Sequence, residues 1–117
     1  MRKHVLVVGS INMDLVIQAD LPRPGETRFG DHFRMVPGGK GANQAVAAAR
    51  LGGRTAMVGR VGGDAFADVL TRNLADVGVD VSCVARDPQE ATGVALIVVQ
   101  PGGQNSILLA SGANMRL

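Results

Sequence analysis

The sequence predicts an α/β fold, a parallel βαβ core beside a small second sheet, and three observations carry that prediction. Short apolar runs at His4–Gly9, Thr55–Gly59 and Val79–Val84 have the length and β-branched content of buried parallel strands. The segments between the second and third runs, and just before the second, repeat apolar residues at helical spacing. Near the C-terminus, Thr92–Val99 and Ser106–Ala110 flank Gln100-Pro101-Gly102-Gly103-Gln104-Asn105, a hairpin signal.

Taken in order, Met1-Arg2-Lys3 leads directly into the first strand, which ends at Gly9 with Asn12 and Asp14 just beyond. Leu15–Asp20 continues as strand until two prolines and a glycine in Leu21-Pro22-Arg23-Pro24-Gly25 stop it. Phe33–Val36 reads as another short strand. The run Pro37-Gly38-Gly39-Lys40-Gly41-Ala42-Asn43-Gln44 then opens a helix over Gly41–Leu51, with Ala42, Ala45, Val46 and Ala49 on one stripe and Gly52 as its stop. Asp64 suits the N-cap of a second helix, in which Phe66, Val69, Leu70, Leu74 and Val77 recur at helical spacing until Gly78. A further helix is expected to begin at Ala113-Asn114-Met115-Arg116-Leu117.

Composition narrows the function. Of 117 residues, 46% are hydrophobic but only 3% aromatic, so the core is aliphatic and base-stacking surfaces for single-stranded nucleic acid are not expected. Residues 1–60 carry nine basic and four acidic side chains, and residues 61–117 three and six. The basic residues form no run, so ordinary solvated surface is preferred to a nucleic-acid footprint. Cys83 is alone, which rules out an internal disulfide or a cysteine zinc site; His4 and His32 lack metal partners at useful spacing. No apolar run has the length of a membrane span, and the expected location is the cytoplasm.

The glycine-rich run at 37–44 is the strongest functional signal. Glycines let backbone approach a ligand, and the helix behind them offers N–H groups and partial positive charge. Lys40 and Asn43 lie one turn apart, so both can reach one polar ligand. A Walker-type phosphate loop is excluded, because Arg34 stands where its first glycine belongs and Gly41 where its Ser or Thr belongs. The dinucleotide fingerprint fails as well, since Gly9 is followed by Ser10-Ile11-Asn12 without a second glycine. A polyol or sugar pocket is the functional reading; a glycine turn feeding a close-packed alanine helix is the bland one. Asp14, at a strand end with no helix pattern after it, can accept hydrogen bonds from two neighbouring hydroxyls. Asn12 points to the same side of an extended backbone and adds a donor and an acceptor. Asp64 and Thr92 read as a cap and a strand residue, and Gly93 and Ala95 as small residues lining the pocket or a packed strand.

Gly9-Ser10-Ile11-Asn12-Met13-Asp14, Pro24-Gly25-Glu26-Thr27, the Gly38–Leu51 segment, Gly62-Gly63-Asp64 and Thr92-Gly93-Val94-Ala95 occur in an order and spacing that resemble the ribokinase-like members of the PfkB sugar-kinase family. The resemblance covers essentially the whole chain. It implies a ribokinase-like core with a small β-sheet lid, with lid strands near 12–20, 33–37, 92–99 and 105–110. It also implies ATP-dependent phosphorylation of D-ribose at O5, with Mg2+, in a homodimer or higher oligomer formed through the lid or an exposed sheet edge. Asn12, Asp14, Gly39, Lys40 and Asn43 match the family's sugar-contacting positions. Family members are much longer, and their Gly-Ala-Gly-Asp-type segment, with catalytic base and anion hole, lies in the C-terminal part that this chain lacks. The expectation is therefore a truncated fold, an N-terminal sugar-binding part with no catalytic, nucleotide or metal residues of its own. The alternative is a non-catalytic module that binds sugar or self-associates. Related kinases act on fructose phosphates, nucleosides and other sugars.

Overall fold

A computed structural model describes residues 3–117; Met1 and Arg2, expected to lead into the first strand, lie outside the described residues. The chain runs β1 (His4–Val8), β2 (Asn12–Gln18), β3 (Asp31–Gly38), α1 (Lys40–Arg50), β4 (Arg54–Gly62), α2 (Ala65–Asp76), β5 (Asp80–Asp87), β6 (Gly93–Val99) and β7 (Asn105–Ala110), then a 3-10 turn at Gly112–Arg116. The last segment, where a further helix is expected to begin, takes a 3-10 turn over these residues.

Two sheets result. The first is parallel throughout, in the order β1-β4-β5. In the second, of order β3-β2-β6-β7, the central pair β2–β6 is parallel and each outer strand is antiparallel to its neighbour. β3 extends beyond the expected Phe33–Val36 at both ends: Pro37 and Gly38 pair with Met13 and Asn12, and past a bulge between Val16 and Gln18 the pairing reaches Asp31, with His32 at φ 55°, a left-handed conformation that a side chain seldom adopts.

Both helices pack on one face of the parallel sheet and touch each other. The core beneath them joins Val7, Met57 and Val61 of the strands to Ala42, Ala45, Ala67, Leu70 and Leu74 of the helices. Alanine recurs because short side chains let helix and sheet approach closely. Val69, expected on the buried stripe of α2, is instead half exposed, and Ala67 takes the inward position. Apolar spacing favours large residues and overlooks a buried alanine at the closest approach.

The other face of the same sheet is uncovered by the described residues. Leu6 is 65% exposed and Val8 63%, and their register partners are Ala56 and Val58, so an apolar strip lies open. A parallel sheet ordinarily carries helices on both faces; here one is bare. The elongation of the chain fits this, with a radius of gyration of 15.8 Å against the about 13–14 Å expected of a compact domain of this length.

A polar knot joins the two sheets. Asp64 caps α2 by accepting the Ala67 N–H at 3.0 Å, and also accepts the Thr92 N–H at 2.9 Å and hydroxyl at 2.6 Å. The same Thr92 hydroxyl oxygen accepts the Gly62 N–H at 2.9 Å. The end of β4, the start of α2 and the approach to β6 therefore share one partly buried network. Partial burial opposes the charged form of Asp64, but the Thr92 bonds, the Ala67 N–H and the nearby Arg86 charge outweigh it and hold the carboxyl below its ordinary value.

Two outcomes follow from these contacts. Asp64→Ala removes a cap and leaves Thr92 short of a partner, and should cost about 2–3 kcal/mol in urea denaturation. Because the folded-state pKa is lowered, the stabilisation from Asp64 is complete above the ordinary carboxylate value of about 4 and drains as pH falls through the lower folded value. The variant should accordingly lose stability less steeply below about pH 4 than the parent chain.

Candidate functional site

The site begins with a backbone-on-backbone contact. After β1 the chain crosses Gly9, Ser10 and Ile11 before β2, and the start of α1 is laid directly on that crossing. Gly39 precedes the helix at φ 96°, and a Cβ there would stand 2.7 Å from the Ser10 carbonyl oxygen and 2.9 Å from the Asn12 nitrogen. A Cβ on Gly41 would lie 2.7 Å from the carbonyl carbon of Gly9 and from the Ser10 nitrogen. Both positions exclude any side chain. The Ala42 N–H then donates to the Ser10 carbonyl at 2.9 Å, and the Asn43 N–H to the Gly39 carbonyl at 2.9 Å.

Of the helix-start N–H groups expected to be on offer to a ligand, that of Ala42 is taken by Ser10. The glycines serve the approach of two backbone segments. What faces the open space is the side-chain pair Lys40 and Asn43.

β2 supplies the opposite wall. Residues alternate across a strand, so Asn12 and Asp14 share one face, and the register sets Gly93 beside Asn12 and Ala95 beside Asp14 on β6. Leu109 of β7 pairs with Ala95, and Ile107 with Ile97, which extends the same face as an apolar floor. Asn12, Asp14, Gly39, Lys40 and Asn43 all line one cavity of about 730 Å³, within the usual range of small-molecule sites. All five residues singled out from the sequence meet there.

Asp14 has its carboxylate backed against Gly38, where any Cβ would overlap it. Partial burial raises its pKa, and no hydrogen bond or cation among the described residues offsets that. Its acceptor capacity is thus uncommitted. Lys40 is exposed and enters none of the ion pairs among the described residues. Asn12 is different: its Oδ1 accepts a hydrogen bond from Asn114 Nδ2 at 2.7 Å, so the acceptor end expected to serve a ligand is engaged within the protein. Ala95 lines the cavity as a small residue, whereas Gly93 lies behind Asn12.

Sequence reasoning missed Asn114 and the floor formed by Ile97, Ile107, Leu109 and Met115. Strand alternation within the hairpin could have found the floor. Nothing local announces Asn114, which reaches back across 102 positions to Asn12.

The residues present do not fit a nucleotide or a magnesium ion. Asp14 is the single carboxylate lining the cavity, and no group of three or more His, Cys, Asp or Glu side chains suited to a metal occurs among the described residues. Magnesium bound by protein wants carboxylates alongside substrate phosphates.

Comparison with known proteins gives the family. Residues 2–117 match the profile described as pfkB family carbohydrate kinase. The chain is 46% identical to a ribokinase of Haemophilus influenzae over all of its own length and 39% of that protein's. It is also 43% identical to a deoxyribokinase of Salmonella typhi, covering 94% of this chain and 36% of the relative. Among solved structures, Arabidopsis thaliana ribokinase complexed with ribose and ATP superposes with a TM-score of 0.89 at 40% identity, over 97% of this chain and 38% of that one. The chain spans less than two fifths of the length of these relatives and corresponds to their N-terminal part. With the motif series, the sheet topology and the profile match in agreement, the chain belongs to the pfkB family of carbohydrate kinases.

Proposed function

We propose that the chain is the sugar-binding part of a ribokinase-type kinase, one that phosphorylates D-ribose at O5 with ATP. The observation that carries this reading is the convergence of Asn12, Asp14, Gly39, Lys40 and Asn43 on one cavity with an apolar floor. A pentose presents adjacent hydroxyls and C–H surface, and the cavity offers a partner for each. Asp14 accepts from two hydroxyls, Lys40 and Asn43 donate from the helix side, and Ile97, Ile107 and Leu109 take the C–H face. The four-stranded sheet acts as the lid over the sugar.

Phosphoryl transfer needs a base for the attacking hydroxyl and positive charge or N–H groups around the transferring group. Nothing lining this cavity serves as that base apart from Asp14, which is engaged with the sugar in this reading. The chain positions the substrate, and the chemistry belongs to the longer part of the relatives. The free, exposed thiol of Cys83 suits a reducing compartment and supports a cytoplasmic location.

A second reading, self-association, is favoured by the open strip around Leu6 and Val8 and by the unpaired outer edges of β1 and β5 among the described residues. Sedimentation over a range of concentrations separates the two. Concentration-dependent dimers or larger species support it, and a compact monomer throughout removes it.

Calorimetry with D-ribose tests the first reading. The parent chain should release heat on binding, and Asp14→Asn should lower affinity about tenfold or more, since a charge-assisted bond is lost. The same variant removes a carboxylate whose burial is uncompensated, so its melting temperature should rise while affinity falls. Affinity should also decline on acidification, beginning above the ordinary carboxylate range because the Asp14 pKa is raised. In a coupled ADP-release assay with ribose and magnesium the isolated chain should show no turnover.

A further inference from the structure

We propose that Asn114 is a positioning residue that locks the Asn12 carboxamide with its NH2 toward the cavity, so that the site demands a hydrogen-bond acceptor from its ligand next to the donors that Asp14 demands. This rests on the reading of the cavity as a sugar site.

The orientation follows from donors and acceptors alone. The Ile11 N–H can only donate, so the Asn114 atom 3.0 Å from it is Oδ1. Nδ2 of Asn114 must then face acceptors, and it meets the Ile11 carbonyl at 3.3 Å and Asn12 Oδ1 at 2.7 Å. With Oδ1 of Asn12 thus assigned, its Nδ2 is the end left over. Gly93 closes the other side: a Cβ there would overlap both Asn12 Oδ1 and Asn114 Nδ2, so the oxygen of Asn12 is walled in between Gly93 and Asn114. Turning the carboxamide would set its NH2 against the Asn114 NH2, donor against donor.

The consequence is a polarity imposed on the ligand. Asp14, ionised, only accepts, and Asn12, so held, only donates into the cavity. A ligand oxygen beside Asn12 must offer a lone pair, while the groups beside Asp14 must offer hydrogens. Vicinal hydroxyls satisfy both at once, because each can donate in one direction and accept in the other. Asn114 reaches Asn12 from the 3-10 turn after β7, so the far end of the hairpin sheet sets the hydrogen-bonding sense of a residue on β2.

The test has two arms on the whole chain. In side-chain amide NMR without ligand, Asn114→Ala should shift and broaden the Asn12 NH2 resonances as the carboxamide gains a second orientation, and Gly93→Ala should do the same by expelling Asn114. Unchanged Asn12 resonances in Asn114→Ala overturn the proposal whether or not any sugar binds. In calorimetry with D-ribose, Asn114→Ala should weaken binding about tenfold in the parent chain and less than about twofold in an Asn12→Ala background. Equal losses in both backgrounds mean that Asn114 does not act through Asn12, and overturn it. If the parent chain binds no ribose, the sugar reading fails and the NMR arm alone decides the orientation. Should Asn114→Ala not fold, Asn114→Asp keeps the acceptor for the Ile11 N–H, removes the donor to Asn12, and should give the same signatures.

Discussion

Everything in the candidate site depends on two backbones touching. The crossing Gly9–Ile11 and the helix start Gly39–Ala42 approach so closely that no Cβ fits at Gly39 or Gly41, and the Ser10 carbonyl is met by the Ala42 N–H. That contact fixes where α1 begins relative to β2. Lys40 and Asn43 therefore face Asn12 and Asp14 across a gap of molecular size. A methyl group at either glycine would push the helix off the strand by a fraction of an ångström to several, which is the scale at which a binding site loses its geometry.

The second constraint is the knot around Asp64 and Thr92, and it explains why the two sheets hold their relation. The strand β6, which carries the small residues of the site, enters its sheet directly from Thr92, and Thr92 is bonded to both Asp64 and Gly62 at the C-terminal end of β4 in the parallel sheet. One side chain thus serves as helix cap and as anchor for the strand that forms the cavity wall. Asn114 plays the corresponding part at the other end of β7, tying the hairpin to Ile11 and Asn12. The cavity is framed by polar contacts that span long stretches of chain, while its floor is apolar.

Much of this was legible in the sequence, for identifiable reasons. The parallel strands and the two helices announce themselves because their periodicities are local, and the glycine run identifies itself because few other functions require three glycines at a helix start. The residues that converge on the cavity could be named in advance because they lie at strand ends and at a helix start, where polar side chains have little structural use. What stayed hidden depended on contacts between distant segments. The acceptor of Asn12 is consumed by a residue from the last turn of the chain, Ala67 is buried because the helix passes closest there, and the N–H of Ala42 is claimed by a carbonyl from another element. The bulge at His32 was illegible for a different reason, since a left-handed histidine has no sequence signature of its own.

The bare side of the parallel sheet has a thermodynamic consequence. Any molecule that packs over Leu6 and Val8 in the folded form alone adds to stability by mass action. The melting temperature then rises with the concentration of such a partner. Where such a partner is present, folding and binding become one equilibrium.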